Sequence, residues 1–386
     1  MILPNHAPLS LKVQHLALLL LLAQTAIPTK ATTAADDETT WHNLTALPLE
    51  GKGWTATKSL YDRLPAKAEG LVRADVWDLS HDSTGLRYRF VTDAKILRAR
   101  WKLRRPDHLA LPHMPATGVS GLDLYVLNDN RWHWVGAGRP VQPGLNEATL
   151  AEGLKQEQRE YLLYLPLYNG VESVEIGLPG GAVFEPAPDR YAGQKPILFY
   201  GTSIVQGGCA SRPGMAHAAI LGRMLDRPIV NLGFSGNAKS EPEVARLLAG
   251  LYPAVYVLDS LPNLSVEEAA ERLEPFVKTV RAAHPKTPIV LVENVTYADS
   301  AFRYTRMSKA VAINALLKQL YDKLIASGDA GVYYVPTRSL LGSDGEDTVD
   351  GTHPTDLGFL RMAEGMAPVL REALKSAQAG PSDPLK

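Results

Sequence analysis

KPILFYGTSIVQGG, residues 195–208, is the stretch on which the reading of the fold turns. Pro196 and Gly201 bracket an apolar run from Ile197 to Tyr200, short and unbroken, of the kind buried on both faces of a parallel sheet. Four more such runs follow: PIVNLG (228–233), AVYVLDS (254–260), PIVLVEN (288–294) and GVYYVP (331–336). Helical periods separate them at 215–225, 241–250, 266–283, 306–327 and 354–377. Five strands alternating with helices predict a flavodoxin-like, three-layer α/β/α domain with a five-stranded parallel sheet over 195–378. Ligands of such sheets bind at the carboxyl ends of the strands, and that rule selects the residues to inspect.

Upstream, from 41 to 190, the rhythm is short and alternating. VRADVWDL (72–79), LRYRFVT (86–92), ILRARWKL (96–103), GLDLYVLN (121–128) and RWHWVGA (131–137) read as strands, and 161–178 adds two or three more. Asn128-Asp129-Asn130 is a hairpin turn by composition. These runs predict an all-β sandwich, jelly-roll-like, ahead of the α/β domain. The Pro- and Gly-rich stretch 179–196 reads as a linker between the two.

Bulk properties narrow the class. The chain has 386 residues, two domains' worth, and balances 40 basic against 41 acidic residues for a net charge of -1. No sequence-wide field exists to recruit nucleic acid or an anionic membrane. One cysteine, Cys209, excludes an internal disulfide and a multi-cysteine metal site, and no HExxH-like spacing of histidines occurs. Cys209 therefore reads as a packed small residue. The apolar run Leu16–Ala26 follows Lys12 and His15, is too short to span a bilayer comfortably, and reads as a signal peptide with cleavage near Ala26, Ala31 or Ala35. Residues 1–35 are thus expected to be signal and flexible lead-in, and the mature protein periplasmic or secreted, without stable membrane insertion.

At the strand ends, the first run leads straight into Gly201-Thr202-Ser203. The serine sits on the turn at the sheet edge, although a capping serine fits the dipeptide too. The second run ends in NLGFSGN (231–237), where glycine lets a backbone N–H face a developing oxyanion, or simply turns the chain. The third ends in Leu261-Pro262-Asn263, an amide donor or a turn residue on the same rim. DGTHPT (350–355) precedes the last helix. A histidine three residues after an aspartate can take a proton from a serine while the carboxylate fixes its tautomer. Pro354 suits the first turn of that helix.

Together GTSI, NLGFSGN, LPN and DGTHPT resemble the four blocks of the SGNH, or GDSL-like, hydrolase superfamily across the C-terminal half. The resemblance implies Ser203 as nucleophile, His353 as base and Asp350 as its orienter. It implies an oxyanion hole of the Ser203 and Gly236 amides with the Asn263 side chain, and ester hydrolysis through an acyl-serine without metal or organic cofactor. Thr202 stands where the usual first block has Asp, and LPNL (261–264) lacks the glycine and the following aspartate of the usual third block. With GLDLY (121–125), this variant pattern resembles a two-domain bacterial subgroup carrying a GxDLY-type N-terminal module.

Other residues leave alternatives open. All six tryptophans (Trp41, Trp54, Trp77, Trp101, Trp132, Trp134) precede the linker, as sandwich core or as a sugar-stacking surface. Asp123 within GLDLY reads as a buried structural acceptor. Glu293, Asn294 and Tyr297 either shape the pocket or cap a turn. The expected function is an exported carbohydrate esterase acting on an acylated, above all acetylated, polysaccharide or oligosaccharide. A lipase or thioesterase for longer chains is the enzymatic alternative, and an inactive glycan-binding protein is the non-enzymatic one.

Overall fold

A computed structural model describes residues 38–379. The expected signal segment lies outside the described residues. In chain order the first half contains β1 (Thr39–Asn43), β2 (Leu49–Glu50), α1 (Ala74–Leu79), β3 (Arg87–Thr92), β4 (Leu97–Leu103), α2 (Ala116–Val119), β5 (Leu122–Asn128), β6 (Arg131–Gly138), β7 (Leu145–Ala151), β8 (Arg159–Tyr164), β9 (Val171–Pro179) and β10 (Glu185–Pro186). They form two antiparallel sheets, β1-β9-β4-β7 and β10-β3-β8-β5-β6, with β2 beside β3. Alternate side chains such as Tyr88, Phe90, Trp101, Leu124 and Ile176 fill one buried cluster between them. The β5–β6 hairpin turns at Asp129 and Asn130, with φ of 49° and 57°, the paired left-handed geometry that Asp and Asn tolerate.

Two expectations need correction here. VRADVWDL is not a strand: Ala74–Leu79 is helical. Val72, Val76 and Leu79 stand at helical spacing as well as Val72, Ala74 and Val76 at alternation, and the helical set is the one that packs against the α/β core. The stretch 179–196 is more than a connector, because β10 pairs with β3 and Phe184 stacks on His42 at 4.3 Å.

The second half comprises β11 (Ile197–Gly201), α3 (Ser203–Gln206), α4 (His217–Leu225), β12 (Ile229–Gly233), α5 (Pro242–Leu248), β13 (Val255–Asp259), α6 (Val266–Ala283), β14 (Ile289–Val292), α7 (Tyr304–Ala326), β15 (Val332–Val335) and α8 (Asp356–Ala379). All five strands are parallel in the order β12-β11-β13-β14-β15. Every residue of β11 to β14 is buried, as apolar runs covered on both faces require. Leu198, Tyr200, Tyr256 and Leu258 meet α5, α6 and α7 on one face. Ile197, Phe199, Val255 and Val257 meet α4 and α8 on the other, where Phe359 is wholly buried, a burial that stabilises by about 2 kcal/mol. A capping box, Ser265 with Glu268, starts α6. Pro354 lies ahead of α8 rather than in its first turn, bridged to Thr348.

The two halves share a polar seam. Arg63, 2% exposed, donates to the carbonyls of Asn231 and Gly233 at the end of β12, and to those of Leu79 and Asp82 on its own side. Asp123 is fully buried and accepts from Arg212 at 2.8 Å, the Gly214 N–H at 2.7 Å and Trp134 Nε1 at 3.0 Å. The structural role expected for Asp123 is thus a clamp between the halves. Among the tryptophans only Trp101 is fully buried in the sandwich core. Trp54 and Trp77 pack on the α/β core, and Trp134 is half exposed beneath Arg212. Residues 38–379 contain no helix long and apolar enough to cross a membrane.

Candidate active site

The end of β11 delivers Ser203 to the first turn of α3. Thr202 is the N-cap, its hydroxyl accepting the Ile204 N–H at 3.3 Å, which accounts for a hydroxyl residue at that position. Gly207, at φ +97°, closes the turn in left-handed geometry. The Ser203 carbonyl accepts from the N–H groups of Gly207 and Gly208 and from the Tyr168 hydroxyl, at 3.0, 2.8 and 3.0 Å. Tyr168 comes from the first half of the chain. A Cβ at Gly208 would lie 2.7 Å from the Tyr168 hydroxyl and 3.3 Å from His353 Cδ2, so the chain must pass this point without a side chain.

Between β15 and α8 the 350–353 loop returns to the same edge. Ser203 Oγ lies 2.9 Å from His353 Nε2, and His353 Nδ1 lies 2.8 Å from Asp350 Oδ2. The carboxylate fixes the tautomer: Nδ1–H donates to Asp350, leaving Nε2 to accept the serine proton. The other carboxylate oxygen accepts the N–H groups of Thr352 and His353 at 3.0 and 2.8 Å. Partial burial alone would raise the Asp350 carboxyl, but these backbone bonds and the imidazole outweigh it and hold the pKa down to about 2.

The rim opposite carries the expected donors. Gly236, φ +71°, is exposed, and its N–H makes no hydrogen bond among the described residues. The Ser203 N–H heads α3, where no intrahelical acceptor exists. Asn263 ends a 3-10 turn. Its carboxamide oxygen accepts from the Asn237 and Ala238 N–H groups at 3.0 and 3.2 Å in the orientation that satisfies both amide atoms, so Nδ2 is directed away from those donors.

Several side chains that hold this edge were not singled out by sequence. Gln206 donates to Asp82 and accepts from the Ser235 N–H at 2.8 Å, tying the serine turn to the Gly236 loop. Its signal was only its place one turn after Ser203. Arg73 grips Asn237 at both its side chain and its carbonyl, 2.7 Å each. Arg306 donates to Asp299 at 2.6 Å and to the Thr352 hydroxyl, bracing the base loop. No sequence signal foretold these long-range contacts. Glu293 accepts from the Thr337 N–H and the Tyr334 hydroxyl, and Asn294 donates to Tyr297, so these residues brace turns.

A hydroxyl, an imidazole and a carboxylate in one hydrogen-bonded row at the carboxyl edge of a parallel sheet, beside free backbone donors, suit acyl transfer through a serine nucleophile. Residues 194–371 match the GDSL-like lipase/acylhydrolase family, and residues 39–184 match the N-terminal GxDLY module of SGNH-hydrolase-type esterases. A solved candidate GDSL-like lipase from Bacteroides ovatus ATCC 8483 is 34% identical, with TM-score 0.82 over 87% of this chain and 98% of that one. This chain belongs to the GDSL-like, or SGNH, hydrolase family. A salicylyl-acyltransferase from a tetracycline biosynthetic pathway (20% identity, TM-score 0.70, 86% and 97% covered) shares the fold. So does a family two carbohydrate esterase from Clostridium thermocellum, solved with cellohexaose (16% identity, TM-score 0.54, 76% and 96% covered). No curated protein matches the chain.

Proposed function

We propose that this protein is an exported serine esterase that removes acyl groups, acetyl above all, from a polysaccharide or a fragment of one. The observation that carries the catalytic reading is the unbroken row Ser203 Oγ, His353 Nε2, His353 Nδ1, Asp350 Oδ2. Ser203 Oγ attacks the ester carbonyl as its proton passes to His353 Nε2. The oxyanion is received by the N–H groups of Ser203 and Gly236 and by Asn263 Nδ2. His353 returns the proton to the departing alcohol, and water then attacks the acyl-serine by the same path, releasing the acid. Asp350 stays ionised throughout and steadies the imidazolium.

The carbohydrate reading is supported by the N-terminal β module and by fold similarity to the carbohydrate esterase solved with cellohexaose. One exposed feature suits both enzymatic readings: Phe302, Tyr304 and Val311 are 90%, 74% and 62% exposed, on and just before α7. Ala298, in the loop that leads into this helix, donates its N–H to the Gly351 carbonyl of the base loop at 3.1 Å. Such a strip offers either an aromatic platform for a sugar or an apolar rest for an acyl chain.

The experiment is acetate release by the purified protein from acetylated xylan, xyloglucan, mannan and pectin, beside Ser203→Ala. Release from one polymer that vanishes in the variant supports the reading. Turnover of octanoyl p-nitrophenyl esters above acetyl ones moves the assignment to the longer-chain class. Polymer binding without turnover of any ester leaves a binding protein.

A further inference from the structure

Cys209 is a group the mechanism does not use, held where it costs energy to hold it. Its φ is +76°, left-handed for a non-glycine residue, directly after the Gly207-Gly208 turn. Such a conformation costs on the order of 1–3 kcal/mol and persists only where surroundings over-determine it. The thiol is buried, and that burial, with the nearby Asp350 carboxylate, pushes its pKa up to about 12. It is therefore a neutral thiol, unsuited to act as a nucleophile or a redox sensor.

The first half of the chain brings a third group to it. Leu111 and Met114 exchange both backbone hydrogen bonds around Pro112-His113, presenting the exposed His113 at the tip of a tight turn. Met114 is buried in the α/β core, and a Cβ on Gly118 would lie 2.2 Å from the Ala210 carbonyl, so this segment is seated on the chain beside Cys209. His113 and His353 have ring centroids 5.5 Å apart. One ligand atom each from His113, Cys209 and His353 lies within 4.8 Å of the others.

We infer that His113, Cys209 and His353 form an inhibitory site for a soft divalent cation, zinc in particular. Tetrahedral zinc with bonds of about 2.0–2.3 Å separates its ligand atoms by roughly 3.3–3.8 Å, within reach of small side-chain rotations from this arrangement. One thiolate and two imidazoles select zinc over magnesium or calcium, and three protein ligands leave a fourth position to water. Binding releases the Cys209 proton to solvent as the sulfur lone pair is donated to the metal. His353 has Nδ1 committed to Asp350, so Nε2 is its free donor, the same atom that takes the Ser203 proton. Zinc and the serine therefore compete for one nitrogen. The site joins both halves of the chain, which is why residue spacing does not disclose it.

The inhibitory consequence rests on the serine-esterase reading, whereas the binding itself does not, and the test separates them. Cobalt(II) added to the metal-free protein should give a near-ultraviolet thiolate charge-transfer band that is absent in Cys209→Ala. Zinc should inhibit p-nitrophenyl acetate turnover, with activity restored by a chelator. His113→Ala and Cys209→Ala should keep their metal-free turnover and each need about 10- to 100-fold more zinc for half-inhibition, a span borrowed from weakened metal sites. No cobalt–thiolate band in the unaltered protein overturns the site. Equal zinc sensitivity in all three proteins overturns the three-ligand assignment. A band without any esterase turnover retains the site and removes the proposed function instead.

Discussion

The nucleophile turn and the base loop meet across 2.9 Å, yet they are held in different ways. Ser203 is 9% exposed on a turn fixed by Gly207, Gly208, Tyr168 and Gln206, with contributions from both halves of the chain. The base loop lies at the surface, where the Asp350 side chain is 39% exposed. It depends on a few bonds: Val349 to His353, Ala298 to Gly351, and Arg306 to Thr352. The β module thus helps to hold the nucleophile turn, and the base loop is braced by its own bond, by Ala298 and by Arg306 of α7. Perturbing the two sides should have different signatures.

The largest effects belong to the row itself. Ser203→Ala and His353→Ala should each lower kcat by about 10⁶-fold and Asp350→Asn by about 10⁴-fold, with the double Ser203→Ala/His353→Ala variant no worse than either single change. Multiplying losses in the double variant would show that the two residues act separately. Next comes the seam. Asp123→Ala leaves Arg212 and the Gly214 N–H without their buried acceptor and should cost about 3–5 kcal/mol of stability by denaturant unfolding. Its kcat per folded molecule should stay close to that of the parent, since none of its partners touches the row. A loss of kcat without a loss of stability would give the clamp a catalytic role.

A third prediction concerns pH. Asp259 ends β13 fully buried, with an oxygen that finds no partner among the described residues, and burial pushes its pKa up to about 7. A carboxyl raised in the folded state from an ordinary value near 4 stabilises fully below that value, and the contribution is lost as pH rises to 7. Asp259→Asn should therefore stabilise the fold at pH 8, by as much as about 4 kcal/mol for a shift near three units, and change its stability little at pH 4. A gain independent of pH would mean that the carboxyl is not the cause. The smallest effect is expected on the base loop: Arg306→Ala should lower kcat about 10- to 100-fold, with KM little changed and Tm within a few degrees, because it misplaces His353 without unfolding the chain. Rescue by Arg306→Lys would separate charge from the two-pronged grip on Asp299 and Thr352.

The parallel sheet was legible because five short apolar runs alternate with helical periods, and Ser203, His353 and Asp350 were expected at its edge from the strand-end rule together with the family blocks. What escaped was what sequence distance hides. VRADVWDL satisfied two periodicities, and packing on the α/β core decided between them. Trp132 and Trp134 alternate as sandwich core would, but both project toward the seam, where Arg212 lies over Trp134. Tyr168 and Arg73 reach the site from the other half of the chain, so no local spacing marks them. Thr202 departed from the family block, and its capping bond shows how the turn is closed with a hydroxyl.

The central claim is that Ser203 is the atom that takes the acyl group. Intact-mass and peptide mass spectrometry of the protein treated with a serine-directed fluorophosphonate tests it most directly. One adduct on Ser203, lost in Ser203→Ala and slowed strongly in His353→Ala, is the expected result. No adduct, or an adduct that persists in Ser203→Ala, would contradict the account.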